Sequence, residues 1–332
     1  MEYCDVDLNY STPYNRVNVC GTDKSGIKQY IFNSRGYRGE EYNLDAPIKF
    51  AVIGCSLTFG TGLNLEETFS YKFKDFCSAA LEIDSSEINM INLAAGGQSN
   101  DYCVRTLYRQ IPGVALDLLI FNLSVVPRFE YPSGDEFLSF NVKSAYGSSA
   151  TSLRNEKLGF YQFYNKEIGD TFLLKNLLLA QSLLKSNEVD YIFSNEFFDI
   201  DGIEDAYHAR SFVDALDREH VLEHSFLRHR SADLAADDLH AGARSHTALA
   251  IAQLEFYGRM LVRRGNTDWG NRLAGYAAEL KRTNEDWAYC EAYSRSFDPD
   301  REAAIAALSE AMEIYPDGVL AEKRLRELGE QT

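Results

Sequence analysis

A serine and a histidine in this sequence have neighbours that suit nucleophilic catalysis. Ser56 comes directly after the apolar run KFAVIG and lies in the segment GCSLTFGTG. A serine hydroxyl attacks a carbonyl only when a nearby base takes its proton, and that base is usually a histidine. Among the six histidines of the chain, His240 stands out because Asp237 precedes it by three residues. On a turn, this spacing lets the carboxylate reach and orient the imidazole.

These residues need a scaffold that brings distant parts of the chain to one edge. Apolar runs bounded by glycine, proline and polar residues predict strands, and amphipathic stretches between them predict helices. The predicted strands are 48–54, 87–94, 116–125 and 189–197, and the predicted helices are 66–81, 99–111 and 170–187. The alternation predicts a doubly wound, mainly parallel α/β sheet in a flavodoxin-like three-layer arrangement. Ligands bind at the carboxyl ends of such strands, where Ser56, Gly97 and Asn122 fall.

Composition divides the chain into three regions. Residues 1–46 are a lead-in rich in Tyr, Asn and Gly, and residues 47–255 carry the α/β pattern. Within the latter, the polar and aromatic stretch 130–165 is interpreted as an insertion. Residues 256–332 predict a helical tail, whose segment DREAAIAALSEAMEIYPD resembles one helix of a tetratricopeptide repeat. Since a single copy does not form a repeat array, a helical cap or a surface for a protein partner or self-association is favoured.

The charge and cysteine content exclude several classes of protein. The formal net charge is −17, so the surface repels phosphate backbones and no nucleic-acid binding is expected. No secretory signal and no apolar run long enough for a bilayer is recognised, which predicts no membrane attachment. The six cysteines form no CxxC pair, which predicts reduced thiols and no zinc site. We expect a cytoplasmic protein, or one carried by a virion assembled inside cells.

The blocks around Ser56 and His240 resemble those of the SGNH (GDSL-type) hydrolases. The family's Gly-Asp-Ser-x-Thr-x-Gly block is matched by GCSLTFG (54–60), and its Asp-x-x-His block by DDLH (237–240). The Asn-Leu strand end followed by glycine is matched by NLAAGG (92–97). Upstream, FNSRGYRGEEY (32–42) resembles the lead-in of a bacterial and phage subset. The resemblance covers roughly residues 30–255, in the family's order.

The resemblance implies a Ser-His-Asp triad and an oxyanion hole. Ser56 would attack a carbonyl, His240 would act as general base and then acid, and Asp237 would orient His240. The backbone N–H groups of Ser56 and Gly97 would bind the oxyanion. The fold implied is the α/β sheet already predicted, and neither cofactor nor metal is implied.

Two departures from the family pattern affect this interpretation. The block Gly-x-Asn-Asp, which normally supplies a third oxyanion donor, is absent, and Asn122 is the nearest candidate, with Asn100 and Arg128 as fallbacks. Cys55 stands where the family has aspartate. It is either a small buried filler, which is favoured, or itself a nucleophile, because thiolates need less activation.

The sequence therefore predicts a serine hydrolase that cleaves a small-molecule or glycan ester, such as an O-acetyl group on a carbohydrate. Acyl transfer to a sugar by the same serine is a further possibility. The alternative is a catalytically weak or inactive module that binds a glycan or a protein partner. His220 and His224, spaced i, i+4 on a predicted helix, could bind a metal, but a solvated helix face is the favoured interpretation.

Overall fold

A five-stranded parallel sheet forms the centre of the molecule. The computed structural model describes residues 21–22, 29–126, 128–133, 136–141, 164–195, 209–222 and 232–329. Two short antiparallel strands come first, and then the strands of the central sheet alternate with helices. The strands are β1 (Gly21–Thr22), β2 (Gln29–Tyr30), β3 (Ile48–Ile53), β4 (Ile88–Asn92), β5 (Leu118–Leu123), β6 (Arg128–Ser133), β7 (Glu136–Asn141), β8 (Asp190–Asn195) and β9 (Val221–Leu222). The four predicted strands are thus present, within the predicted bounds.

The order of strands in the central sheet is β4-β3-β5-β8-β9, and every neighbouring pair is parallel. Counted along the chain within this sheet, the order is second, first, third, fourth and fifth, as in flavodoxin-like folds. The predicted doubly wound parallel fold class is confirmed. The chain reverses its winding direction between β3 and β5, and ligands in such folds bind in the crevice at the carboxyl ends of these two strands.

The helices cover both faces of the sheet and then continue beyond it. They are α1 (Ser56–Phe59), α2 (Phe69–Leu81), α3 (Asn100–Gln110), α4 (Lys166–Ser186), α5 (Arg210–Asp214), α6 (Ala243–Arg263), α7 (Thr267–Thr283), α8 (Glu285–Arg295), α9 (Arg301–Ile314) and α10 (Val319–Gly329). Among the described helices, none is both long and apolar enough to cross a lipid bilayer.

Strand side chains alternate between two apolar layers. On β3, Phe50 and Val52 pack with α2, α6 and α7, whereas Ala51 and Ile53 pack with α3 and α4. This alternation follows from the two-residue period of a strand. Because both faces are covered, the strands read as continuous apolar runs, which is why the sequence predicted them. β6 and β7 form a separate antiparallel hairpin within the predicted insertion.

Local signals set the ends of two helices, and one of these helices begins later than predicted. Ser99 caps α3, its hydroxyl accepting from the Tyr102 N–H at 3.2 Å. Helix α2 begins at Phe69, not at residue 66, because Leu65–Glu67 form a 3-10 turn. In that turn the Glu67 carboxylate accepts from the Asn64 N–H at 2.6 Å and so caps its start, and Thr68, with an extended backbone, separates the turn from α2.

The helical tail packs on the α/β domain through a third apolar cluster. Helices α8, α9 and α10 contribute Tyr289, Leu308 and Ala321, which pack with Ala248 and Ile251 of α6. The predicted border between residues 255 and 256 falls inside α6, which is one continuous helix. This helix packs both against the sheet and against the helices of the tail. The tail therefore shares one helix with the α/β domain.

Candidate active site

Ser56 lies at the carboxyl end of β3, as the first residue of the short helix α1. Gly54 lets the chain turn there, because a Cβ at this position would lie 2.7 Å from the backbone oxygen of Asn122 on β5. The Ser56 side chain is partly exposed, and its carbonyl accepts from the N–H groups of Gly60 and Thr61, both at 3.0 Å. The serine is thus held in a tight turn at the crevice where the winding reverses.

Asp237 and His240 form a hydrogen-bonded pair on a turn that precedes α6. The Asp237 Oδ2 lies 2.5 Å from the His240 Nδ1. Its Oδ1 accepts from the backbone N–H groups of His240 at 3.0 Å and Leu239 at 3.2 Å. Burial raises the pKa of Asp237, but these hydrogen bonds from His240 and Leu239 outweigh it and hold the pKa below its usual range. An ionised carboxylate thus fixes the imidazole with its Nε2 directed away from Asp237.

The base of this turn is held by α6 and by the helical tail. The Asp233 carboxylate accepts from the N–H groups of Arg244 and Ser245, at 3.0 and 2.9 Å, and so caps α6. The hydroxyl of Tyr289 on α8 donates to the Ala232 carbonyl at 2.6 Å. The Arg244 guanidinium pairs with Asp286 of α8 at 2.5 Å. The tail predicted as a cap therefore contacts the segment that carries Asp237 and His240.

Gly62 joins the Ser56 turn to the Asp237 turn. Its carbonyl accepts from the Ala236 N–H at 3.2 Å. Its φ is +80°, and a Cβ here would lie 2.8 Å from the Cβ of Ala235 and 3.2 Å from the Asp237 Oδ1. Glycine alone permits this approach without strain. The two segments that carry the predicted triad, far apart along the chain, are therefore direct neighbours.

The Ser56 hydroxyl and the His240 Nε2 do not form a hydrogen bond with each other in this structure, and neither atom has another partner among the described residues. Both residues are partly exposed. Hydrogen bonds between a nucleophile and its base commonly tighten only in the complex with substrate. The structure therefore places the two segments side by side, but the hydrogen bond between the Ser56 hydroxyl and the His240 Nε2 is not formed.

The two backbone N–H groups predicted to bind an oxyanion are those of Ser56 and Gly97. Ser56 is the first residue of α1, and the first N–H groups of a helix have no partner within it. Gly97 follows β4, and the Ala95 N–H in the same loop donates to the Gly54 carbonyl at 3.4 Å, beside the Ser56 turn. Within the described part of the chain, neither the Ser56 nor the Gly97 N–H has an acceptor.

The predicted third donor and its fallbacks have other contacts. The Asn122 side chain is fully buried on the α6 face, where its Oδ1 accepts from Gln253 at 3.3 Å and its Nδ2 is shielded from solvent. Asn100 binds Ser124 through both ends of its amide, donating to the carbonyl at 3.0 Å and accepting from the N–H at 2.8 Å. Arg128 donates to the Ser124 hydroxyl at 3.3 Å. As they stand, the Asn122 and Asn100 amides are not presented to a ligand.

The cysteine next to Ser56 is enclosed by protein. Cys55 is 1% exposed, whereas the neighbouring serine is partly open. A buried thiol cannot reach a substrate in the crevice, which agrees with the interpretation of Cys55 as a filler. The described cysteines, Cys55, Cys77, Cys103 and Cys290, are all buried, and none of them forms a disulfide with another described residue.

His246, on the first turns of α6, contacts the scaffold of the site. Its ring is buried, and its Nδ1 accepts from the Phe69 N–H at 2.9 Å, at the start of α2. Burial, with smaller contributions from Arg38 and His240, lowers the pKa of His246 to about 3. The residue is therefore neutral at neutral pH. In the sequence it was one histidine among six, and no local signal marked it as buried.

We expect His246 to make the folded protein less stable in acid. Its pKa is about 3 in the folded state and about 6.5 in an unfolded chain, so the unfolded state binds the proton first as the pH falls. Stability is lost across that window, with a slope of about 1.4 kcal/mol per pH unit. In urea unfolding, His246→Asn should flatten this slope, because an amide oxygen can accept from Phe69 but does not titrate. Measuring both proteins at pH 7.5 separates lost packing from titration, and an unchanged slope would contradict the prediction.

The predicted helix carrying His220 and His224 is wrong at its described end. His220 ends a 3-10 turn and leads into β9, because Val221 and Leu222 pair with β8. His224 lies outside the described residues. The His220 Nδ1 contacts the Tyr191 carbonyl oxygen at 2.7 Å, and its Nε2 lies 2.7 Å from the Arg264 guanidinium.

A cluster of three potential metal ligands includes the same histidine. Asp217, Glu219 and His220 bring ligand atoms within 4.8 Å of one another. The donor set does not suit a cation, because Arg264 faces the His220 Nε2 and Lys185 pairs with Asp217 at 3.0 Å. These contacts explain the cluster as a structural network.

Comparison with known proteins adds likenesses of fold. No protein-family model matches the chain, and no curated protein matches it. Among solved structures, the chain is similar to TesA, with 11% identity, a TM-score of 0.40 and coverage of 64% of this chain and 99% of that one. It is similar to the psychrotrophic esterase EstA from Pseudoalteromonas sp., with 13% identity, a TM-score of 0.39 and coverage of 64% and 98%.

A third solved structure, LAE5, an α/β hydrolase enzyme from the metagenome of Lake Arreo, Spain, shows 16% identity, a TM-score of 0.39 and coverage of 65% and 97%. The second and third of these neighbours are thus an esterase and an α/β hydrolase. At such TM-scores the likeness does not assign an activity to this chain, and the bacterial and phage subset remains a prediction. The chemistry of the site has to be argued from its own residues.

Proposed function

We propose that the chain is a serine hydrolase that cleaves an ester through an acyl-enzyme. The observation that carries the proposal is the 2.5 Å contact between Asp237 and His240 on a turn that is hydrogen-bonded to the Ser56 turn through Gly62 and Ala236. An oriented imidazole beside an accessible serine at the carboxyl end of a strand is the arrangement that nucleophilic catalysis needs.

In the proposed reaction the Ser56 Oγ attacks the ester carbonyl while its proton passes to the His240 Nε2. The tetrahedral intermediate collapses, the C–O bond to the alcohol breaks, and His240 returns the proton to the leaving alkoxide. A water molecule then attacks the acyl-enzyme, with His240 as base, and releases the carboxylic acid and free Ser56. Asp237 stays ionised throughout and stabilises the imidazolium, for which its lowered pKa suits it.

The oxyanion would be bound by the N–H groups of Ser56 and Gly97. Neither has an acceptor within the described residues, so each is free to donate. A third donor is not supplied by Asn122 in its present position, since its amide is buried against Gln253. Removing one oxyanion donor costs about 100- to 1,000-fold in rate. We therefore propose a slow hydrolase, and an O-acetyl group on a carbohydrate as its ester.

A fluorophosphonate probe tests the proposal directly. We expect stoichiometric labelling of the protein, with the modification located on Ser56 by mass spectrometry of peptides, because such probes react with serines activated by a base. Ser56→Ala should not be labelled, and His240→Ala should be labelled far more slowly. A well-folded wild-type protein that stays unlabelled at Ser56 would contradict the proposal.

The second candidate function is a binding module that keeps this fold without catalysis. It is favoured by the missing contact between the Ser56 hydroxyl and the His240 Nε2 and by the buried amide of Asn122. The same labelling experiment separates the two, because a binder leaves Ser56 unmodified. Acetate release from an acetylated glycan then distinguishes an esterase for carbohydrates from one for other esters.

A further inference from the structure

Arg38 is a buried cation whose guanidinium binds backbone carbonyls. Its side chain is 1% exposed. Its Nη1 donates to the carbonyl oxygens of Phe59 at 2.7 Å and Gly60 at 2.5 Å, and its Nη2 donates to that of Leu63 at 2.6 Å. Within the described residues it forms no ion pair with a carboxylate. A charge is costly to bury, so three well-placed acceptors are what make this position tolerable.

Two aromatic rings pack against the Arg38 guanidinium, and one of them also binds residues 59–63. The Arg38 Cζ lies 4.4 Å from the ring centroid of Tyr30 and 5.2 Å from that of Phe59. The Tyr30 hydroxyl accepts from the Gly62 N–H at 2.7 Å. Burial lowers the pKa of Arg38 to about 10, so the group is still charged at neutral pH. Residues 59–63 are thus fixed from one side by the lead-in.

The segment held by Arg38 connects the two halves of the candidate site. At one end, the N–H groups of Gly60 and Thr61 donate to the Ser56 carbonyl. At the other, the Gly62 carbonyl accepts from Ala236, the residue before Asp237. A shift of 59–63 would therefore move the Ser56 turn relative to the Asp237 turn. Misplacing reacting groups by about 1 Å costs about a hundredfold in rate.

We propose that Arg38 is a positioning residue for hydrolysis, which holds residues 59–63 so that Ser56 and His240 meet in a productive geometry. The inference rests on the proposed function, and it concerns a residue that contacts no reacting atom. The lysine ammonium cannot replace the guanidinium, because it lacks the planar fork that reaches several carbonyls at once.

The variants Arg38→Lys and Arg38→Met separate charge from geometry. With p-nitrophenyl acetate, we expect Arg38→Lys to lower kcat by about ten- to a hundredfold and to change KM less than about threefold, because substrate binding does not involve this residue. Arg38→Met should lower kcat further, because it leaves the carbonyl groups of residues 59, 60 and 63 without their hydrogen-bond donor. The matched control is Leu184→Ala in α4, a fully buried residue on the face of the sheet away from α6, which loses stability but should keep kcat.

Hydrogen exchange gives a readout that does not depend on activity. In Arg38→Lys, we expect faster exchange at the N–H groups of Thr61, Gly62 and Ala236, and no such change in Leu184→Ala. Unchanged exchange at the Ala236 N–H in Arg38→Lys would overturn the positioning role. So would an equal loss of kcat in Arg38→Lys and Leu184→Ala, if the two variants have the same urea midpoint. If wild type lacks labelling at Ser56, the proposed function fails, whereas the exchange measurement still decides whether Arg38 holds the two turns together.

Discussion

Replacing Ser56 with alanine should lower kcat for p-nitrophenyl acetate by about 10⁴- to 10⁶-fold, to the level of residual binding and oxyanion effects. The physical reason is that Ser56 is the proposed nucleophile and the thiol of Cys55, the alternative nucleophile, is buried beside it. The substitution should leave the fold intact, because the Ser56 hydroxyl has no hydrogen-bond partner among the described residues. Initial rates on purified protein, with a urea midpoint for each variant, measure both effects.

The matched control for this prediction is Cys55→Ala. It removes the neighbouring thiol and should retain most of the activity, with some loss of stability from a small cavity. If Ser56→Ala hydrolyses the ester as fast as wild type, Ser56 is not the nucleophile. If Cys55→Ala alone is inactive while well folded, the thiol carries the reaction and the assignment of roles is wrong.

Asp237→Asn should reduce kcat/KM by about 10⁴-fold, although it changes only one atom. Asp237 accepts from the His240 ring with one oxygen and from the backbone N–H groups of Leu239 and His240 with the other. An amide has a single oxygen. If that oxygen keeps the backbone contacts, its NH₂ faces the His240 Nδ1 and stabilises the wrong tautomer. If it turns toward the ring, the NH₂ opposes the backbone donors.

Asp238→Asn is the natural control for that variant. Asp238 is the adjacent carboxylate, and it is exposed with a φ of +55°, a conformation that asparagine also tolerates well. It should keep nearly full activity, as it contacts neither His240 nor the Ser56 turn in the described hydrogen bonds. Equal rate losses in the two variants would mean that the net charge of the turn matters, not the orientation of His240. Rates across pH 5 to 9 on both proteins, about the range where carboxylates stay ionised, make this comparison.

Local sequence signals predicted the layers well and failed where distant parts of the chain decide. The apolar runs of β3 and β5 predicted buried strands correctly, because both faces of the sheet are covered by helices. His220 was predicted to lie on a helix, but pairing of Val221 and Leu222 with β8 overrides that local preference. Asn122 was predicted as an oxyanion donor because it lies at a strand end. Side chains alternate between the two faces along β5, however, and this directs the Asn122 amide toward Gln253 of α6.

Arg38 is a residue whose proposed role the sequence did not indicate. It stands in the lead-in motif, but nothing local distinguishes it from a solvated arginine, and arginines are rarely fully buried. Its role depends on three carbonyls that belong to a different segment of the chain. A match to the lead-in block was the available signal, and it indicated only that the region mattered.

The sequence by itself determined the alternation of strands and helices, the placing of Ser56 at a strand end and the pairing of Asp237 with His240, because each depends on neighbours within a few residues. Only the tertiary structure decided that these two segments are in contact. That contact depends on Gly62 approaching Ala236 and on Arg38 holding the segment between them, and no local preference encodes either. The reason is physical: hydrogen bonds between segments far apart in the chain form only after the sheet and its helices have packed.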